Sequence, residues 1–154
     1  MNTGHLLHLV TKTDHDRWLS LQRIALGAII LPHGLQKLFG WFGGYGFGGT
    51  MGFFVDTMHI PTPIAFLVIM IESLGALALI AGIFSRGIAV GICAVMLGAI
   101  VTTHLPNGFF MNWFGAQKGE GFEYHLLVLA LAVPIIVRGG GAFSLDGWVG
   151  PDRA

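Results

Sequence analysis

The sequence contains little charge and almost no cysteine. Lysine and arginine together number 8, as do aspartate and glutamate, so charged residues form 10% of the 154-residue chain and its formal net charge is +0. A neutral chain offers no basic surface for nucleic acid. The only cysteine, Cys93, excludes a disulfide framework, a Cys-x-x-Cys redox pair and a thiolate metal site. Any redox chemistry therefore has to come from a cofactor, a ligand or another subunit.

Apolar residues are abundant instead. The chain is 54% hydrophobic and contains 24 glycines, and its mean hydropathy is +0.74, values outside the range of an ordinary soluble domain. Apolar stretches at residues 18–39, 64–84, 87–103 and 123–137 predict four transmembrane helices, because about 20 apolar residues span a bilayer. We therefore expect an all-α four-helix bundle that crosses the inner (cytoplasmic) membrane several times and has the lipid bilayer as its surroundings.

The predicted bundle occupies residues 18–138, between an N-terminal tail, 1–17, and a C-terminal tail, 139–154. Four spans place both termini on the same side of the membrane. Most basic residues lie on that side: Lys12, Arg17, Arg23, Arg86, Arg138 and Arg153, against Lys37 and Lys118 on the other. By the positive-inside rule, both tails are cytoplasmic and the two long loops face outward.

A single carboxylic acid, Glu72, interrupts the second apolar stretch. An ionisable residue at membrane depth costs roughly 2.5 kcal/mol or more, so it needs a partner or a wet cavity. It either hydrogen-bonds a neighbouring helix as packing or belongs to a functional site. The predicted topology favours a site, because it brings polar residues of all four helices to the outer leaflet: His33, Lys37, Glu72, His104, Glu123 and His125.

Helical geometry narrows this outer set. His33 and Lys37 share one face, and Arg23 lies about 40° from Lys37 around the helix, although snorkelling to the interfaces is the alternative for both cations. Glu123 and His125 are about 160° apart, so one of them points inward, and we expect Glu123. His104 either joins the cavity or forms a solvated helix end.

The expected pocket combines acids, a cation and imidazole beneath residues 41–63, a segment rich in glycine and aromatics. That segment predicts an irregular interfacial lid or a plain aromatic belt. Such a pocket suits a quinone headgroup, with His33 or Lys37 bonded to a carbonyl and Glu72 or Glu123 passing protons. The same groups could pass protons or bind a small anion. We predict no metal or haem, because the histidines lie at different depths and form no paired ligand motif.

Several segments together resemble a known family. They are Arg23, then HGLQKLF at 33–39, IESLGALALIAGIF at 71–84, GEGFEYHLLVLALA at 119–132, and GGGAFSLD at 139–146. In order and spacing they resemble the DoxX family of small four-helix membrane proteins of bacteria and archaea. The family's recurrent polar positions correspond here to Arg23, Lys37, Glu72 and Glu123.

The resemblance implies quinone-linked redox chemistry within a membrane complex. The expected catalytic residues are Glu72 and Glu123, and the expected ligand-binding residues are His33, Lys37, His104, His125 and Arg23. Expected partners are a quinone and either other membrane subunits or further copies of the chain. The alternative is a non-catalytic accessory subunit that anchors a larger complex through its glycine faces and aromatic loops. Whether the chain is itself an enzyme stays open at this point.

Overall fold

The computed structural model describes residues 11–149, and all regular structure in that range is helical. The elements are α1 (Arg17–Phe39), α2 (Gly46–Gly52) with the π-helical turn Phe53–Thr57, α3 (Thr62–Ala81), α4 (Ser85–Asn107), α5 (Glu123–Arg138) and α6 (Leu145–Val149). The all-α class is confirmed. The outermost parts of the two predicted tails, 1–10 and 150–154, lie outside the described residues.

Within that range, α3 and α4 are long and apolar enough to cross a membrane. Large apolar side chains are exposed along all four long helices, including Leu21, Ile24 and Ile29 on α1, Leu67, Leu74 and Leu77 on α3, Val90 and Leu97 on α4, and Leu127, Val133 and Val137 on α5. Apolar patches of this extent on a protein surface mark contact with lipid or with another protein.

The long helices begin and end at identifiable signals. Asp16 caps α1 by accepting a hydrogen bond from the backbone N–H of Trp18 at 2.8 Å, and Gly40 ends the helix with a φ of 75°. α3 ends at Gly82, whose φ of 76° suits glycine. These signals account for helix boundaries within a few residues of the predicted ones.

The helices pack around one apolar core. α1 packs on α3 and α5, and α4 packs on α5. The buried core residues are Leu19, Leu26, Ile30, Ala76, Leu79, Ala89, Ile92, Val95, Met96, Val128, Ala132 and Ile135. The closest approach lies at Gly34, where a Cβ atom would collide with the backbone of Glu72 and Ser73. Only glycine lets α1 and α3 come together there.

A buried arginine ties the segment 140–146 to α1 and α3. Arg23 is 0% exposed, and its guanidinium donates to the backbone carbonyls of Gly140 at 2.7 Å and Phe143 at 2.8 Å. It also donates to the carbonyls of Leu79 and Ile80 in the last turn of α3. Asp146 from the same segment accepts the backbone N–H groups of Phe84 and Ser85 at 2.8 Å, which caps α4.

The prediction of an irregular loop over residues 41–63 is wrong in its centre, because α2 forms there. Glycine disfavours an isolated helix, and the sequence Gly46–Gly52 is glycine-rich. The helix instead gains its stability from packing on α1 and α3. Tertiary contacts of this kind are not readable from local propensity.

Candidate functional site

A cavity of about 660 Å³ lies among the helices, and its wall is formed by α1, α3, α4, α5 and the segment that follows α2. Most of the wall is apolar. It includes Ile30 of α1, Phe53, Phe54 and Met58 of the turn after α2, Ile64, Leu67, Val68 and Ile71 of α3, and Gly91, Ala94, Val95, Gly98 and Ala99 of α4. Its volume is in the range of pockets that hold small organic ligands, which are typically apolar with a few placed polar groups.

An ion pair forms part of the wall where α1 meets α3. The Lys37 ammonium contacts Glu72 Oε2, and the two side chains are 24% and 6% exposed. The pair exists because Gly34, one helical turn before Lys37, lets the α3 backbone approach α1 at Glu72. Among residues 11–149, no hydrogen-bond donor other than Lys37 reaches Glu72 Oε2. A buried charge held by one partner is open to a further interaction from the cavity.

Rings from α1, α4 and α5 form the neighbouring part of the wall. The rings of His104 and His125 lie 4.2 Å apart between centroids, and those of His33 and Tyr124 lie 6.0 Å apart. His104 Nδ1 is 2.8 Å from the backbone carbonyl of Glu120, which orients the imidazole. His125 is only 7% exposed.

Two polar atoms of this wall are buried without a hydrogen-bond partner in the described part of the chain. They are the Tyr124 hydroxyl and His125 Nδ1. An unsatisfied buried polar atom costs about 1–3 kcal/mol, and native structures rarely leave one without a reason. Because both residues line the cavity, the polar wall formed by Lys37, Glu72, Tyr124 and His125 fits a ligand that supplies hydrogen-bonding atoms.

Comparison of the sequence with known proteins identifies its family. The family model described as DoxX matches residues 18–105, more than half of the chain. The chain belongs to the DoxX family. The matched region carries Lys37 and Glu72, whereas Tyr124 and His125 lie beyond it.

One curated relative of this DoxX chain is a Bacillus subtilis (strain 168) protein named "putative oxidoreductase CatD". The two sequences are 27% identical over 129 residues, which covers 84% of this chain and 84% of the relative. No solved structure was found to match the chain.

The DoxX cavity gathers most of the residues that the sequence suggested. His33, Lys37, Glu72, His104 and His125, from four different helices, all line it. This grouping follows from the alternating direction of successive helices, which brings α1's last turns and α4's last turns to the same end as the first turns of α3 and α5.

Two expected site residues lie elsewhere. Glu123 is outside the cavity and accepts the backbone N–H of Met111 at 3.3 Å, so of the pair Glu123 and His125 the histidine faces inward, the reverse of the expectation. Arg23 lies near the other end of α1, bonded to backbone carbonyls. Arg23 lies on the same side of α1 as Lys37, but it does not reach the cavity, because the two residues are about 21 Å apart along the helix axis.

Sequence reasoning missed Tyr124 and Glu120, which also line the cavity. A usable signal existed for Tyr124, because it lies between Glu123 and His125 and a tyrosine in an apolar helix has a hydroxyl that requires a partner. Glu120 gave no such signal, since its place on the wall depends on the course of the loop between α4 and α5.

Three π-helical turns border the cavity: Phe53–Thr57, Ile71–Gly75 within α3, and Ile100–His104 within α4. Each provides wall residues, such as Phe53, Glu72 and His104. A π turn inserts an extra residue into a helix and redirects the side chains around it, and such turns occur frequently at functional sites. Among the described residues, no group of three or more His, Cys, Asp or Glu side chains could hold a metal ion.

Proposed function

We propose that this DoxX protein is a membrane-embedded subunit that binds a quinone in the cavity and takes part in its redox chemistry. The observation that carries the proposal is the polar wall: a buried Lys37–Glu72 pair beside two unpartnered buried atoms, Tyr124 Oη and His125 Nδ1. A quinone ring is flat and apolar and carries carbonyl acceptors, so a mostly apolar cavity can hold the ring while the donors of the polar wall meet a carbonyl. The name of the B. subtilis relative supports a redox role.

Each residue of the polar wall has a defined task in this proposal. The Tyr124 hydroxyl and the Lys37 ammonium donate hydrogen bonds to the ring carbonyls. Glu72 holds or releases a proton at its carboxyl oxygen, and His125 Nδ1 exchanges a proton with the ligand. His33 and His104 line the same cavity and orient the rings of Tyr124 and His125. When bound, a quinone supplies the capacity to take up electrons and protons together.

The proposal includes a membrane arrangement. We infer that α1 and α5 cross the inner membrane together with α3 and α4, with the tails 1–17 and 139–154 on the cytoplasmic side. α1 has an exposed apolar surface similar to that of α3, and α5 is short but apolar. The cavity then opens in the outer leaflet, where a lipid-soluble ligand is available.

A second candidate is a non-catalytic accessory subunit of a larger membrane complex. The observation that favours it is the loop between α4 and α5, where Trp113 is 78% and Phe114 is 96% exposed. Exposed aromatic pairs of this kind anchor interfaces. In that role, a partner subunit or a second copy covers the loop.

Glu72→Gln separates the two functions. The protein is purified in mild detergent, and its co-purifying small molecules are extracted and identified for the wild type and the variant. Asp56→Asn is the matched control, because Asp56 is an exposed acid that does not line the cavity. The proposal expects a quinone that the wild type and Asp56→Asn retain and Glu72→Gln loses. A partner protein recovered equally with all three, and no quinone with any, supports the accessory role instead.

A further inference from the structure

The part of the cavity wall formed by α4 includes four small residues beside the larger Val95, Met96 and Thr102. The small residues are Gly91, Ala94, Gly98 and Ala99, and we call their surface the α4 trough. Ala94 and Gly98, one helical turn apart, are exposed, so the trough reaches the outer surface of the helices. Small residues along one side of a helix leave a shallow channel that a chain molecule can occupy.

The trough is open where Gly98 lies. A Cβ atom added to Gly98 would meet no atom within 4 Å, whereas one added to Gly91 would touch the Ile71 side chain at 3.0 Å. Gly91 therefore serves the packing of α4 on α3, and Gly98 does not. The space beside Gly98 belongs to the cavity rather than to a neighbouring helix.

α3 and α4 also move apart on the side of the cavity where the trough lies. α3 contacts α4 through its π turn Ile71–Gly75 and through its last turns, Ala76–Ala81. Its first half, Thr62–Met70, packs on α1 and α2 instead. The trough thus faces lipid through the space between the first half of α3 and the second half of α4.

The polar wall gives a ligand in this cavity a direction. His125 is more than nine-tenths buried, and its unpartnered Nδ1 belongs to a residue that lines the same cavity as the trough. A chain attached to a headgroup on the polar wall can leave the cavity through its open side, between the first half of α3 and Gly98. Resting on the proposed function, we propose that the ligand is a long-chain prenylated quinone whose chain lies in the α4 trough, with Gly98 and Ala94 controlling its admission.

Two substitutions fill the trough without touching the polar wall. Gly98→Leu and Ala94→Leu place an isobutyl group in the space proposed for the chain. Gly87→Leu is the matched control, because Gly87 lies on the same helix, also has no atom within 4 Å of an added Cβ, and does not line the cavity. All three changes convert a small residue of α4 to a good helix former.

The probes are menadione, which carries the quinone ring alone, and phylloquinone, which carries the same ring with a prenyl-derived chain. Binding isotherms are measured on detergent-purified protein and corrected with protein-free micelles. The wild type should bind phylloquinone more tightly than menadione. Both trough variants should weaken phylloquinone about tenfold or more, since a blocked channel forfeits the packing of the chain. The affinity of both trough variants for menadione should stay within about twofold of the wild-type value, and Gly87→Leu should change neither affinity.

Several results would overturn the inference. One is equal phylloquinone affinity in the wild type and in a folded trough variant, where folding is verified by the circular dichroism melting curve. Another is an equal fall of menadione and phylloquinone, which would mean that the trough is not separate from the headgroup site. If Gly98→Leu does not fold, the test is made with Ala94→Leu alone, by the same comparison of phylloquinone and menadione affinities.

The same experiment separates this inference from the proposed function. A wild type that binds menadione as tightly as phylloquinone overturns the trough assignment and leaves the quinone site standing. A wild type that binds neither overturns both. Native mass spectrometry provides a further arm, because a tightly held phospholipid that phylloquinone does not displace would show that acyl lipid, and not a quinone chain, occupies the α4 trough.

Discussion

Lys37 and Glu72 show what a buried charge requires in an apolar cavity. Glu72 is 5% exposed, and its carboxylate has lost nearly all contact with water. Such a charge is tolerated only with a partner, and its removal leaves the other charge uncompensated. The pair therefore adds little stability of its own. Its importance is that each charge, left without the other, would be largely buried and uncompensated.

This asymmetry predicts the effect of single and double substitutions. Glu72→Leu should lower the free energy of unfolding by about 2 kcal/mol, because the partly exposed Lys37 ammonium is left near an apolar wall. Adding Lys37→Met should restore much of the loss. Both variants are compared with the wild type by titration with a denaturing detergent. A double variant less stable than the single one would contradict this account.

Asp16 carries a prediction about pH. The backbone N–H of Trp18, together with the Arg138 guanidinium, holds the pKa of the Asp16 carboxyl below its ordinary value of 3.8. A carboxyl with a lowered pKa in the folded state stabilises the protein above the ordinary value and loses that contribution as pH falls through the lowered one.

The Asp16→Asn variant isolates the charge, because asparagine still caps a helix. Its melting temperature should be below that of the wild type at neutral pH, and the difference should shrink below pH 3.8 and vanish as pH falls through the lowered pKa. Both curves are measured across the pH range by circular dichroism. A difference that persists unchanged in acid would show that the carboxylate charge does not contribute.

A site residue could be predicted from the sequence where the direction of its helix through the membrane determines how deep the residue lies. Lys37, Glu72 and His125 reached the cavity because their positions along successive helices place them at one end. Angular arithmetic was less informative, since it grouped Arg23 with Lys37 and did not determine which of Glu123 and His125 faces inward. The direction of a side chain at the start of α5 depends on where the preceding loop releases the chain, which helical periodicity does not encode.

At the scale of the helix, the positions of the long helices were predicted from the sequence, but the π turns within them were not. The apolar stretches predicted the positions of α1, α3, α4 and α5, because periodicity and length are strong signals. The turn Ile71–Gly75 contains no proline, whereas Ile100–His104 lies two residues before Pro106 of α4. Both turns change which residues face the cavity, and helical periodicity predicts neither of them.

The close contact between α1 and α3 predicts that one methyl group added at Gly34 lowers the stability of the protein strongly. Gly34→Ala should lower the free energy of unfolding by about 2 kcal/mol, because the added Cβ meets the α3 backbone and not a flexible side chain. It should also separate Lys37 from Glu72. Gly87→Ala is the control, since its Cβ meets nothing within 4 Å. Equal stability of the two variants would show that the helices are not in close contact at Gly34.

At the scale of the whole molecule, the proposed arrangement puts one end of the bundle on each side of the membrane. The end where the described part of the chain begins, at residue 11, and finishes, at residue 149, also carries Arg86 and Arg138. Arg86 donates to the carbonyls of Lys12 at 2.9 Å and Ile136 at 3.1 Å, and Arg138 pairs with Asp14 and Asp16 at 2.8 and 2.9 Å. Basic residues gathered at one end are what the positive-inside rule associates with the cytoplasmic side, which is the side proposed for this end.

Cysteine labelling tests this orientation. In a Cys93→Ala background, single cysteines are introduced as His15→Cys and Phe114→Cys, both at exposed positions. A membrane-impermeant maleimide added to intact spheroplasts should label position 114 and not position 15. Inverted membrane vesicles should give the opposite pattern. Labelling of both positions from the same side would overturn the proposed topology.

Arg23 joins two distant parts of the chain in time as well as in space. The ribosome makes α1 long before residues 140–143, yet the guanidinium of Arg23 donates to the carbonyls of Gly140 and Phe143. Until that segment has been made and has folded back, the cation on α1 lacks two of its hydrogen-bond acceptors. The order of synthesis therefore delays the burial of this charge until α3, α4 and α5 have already been made.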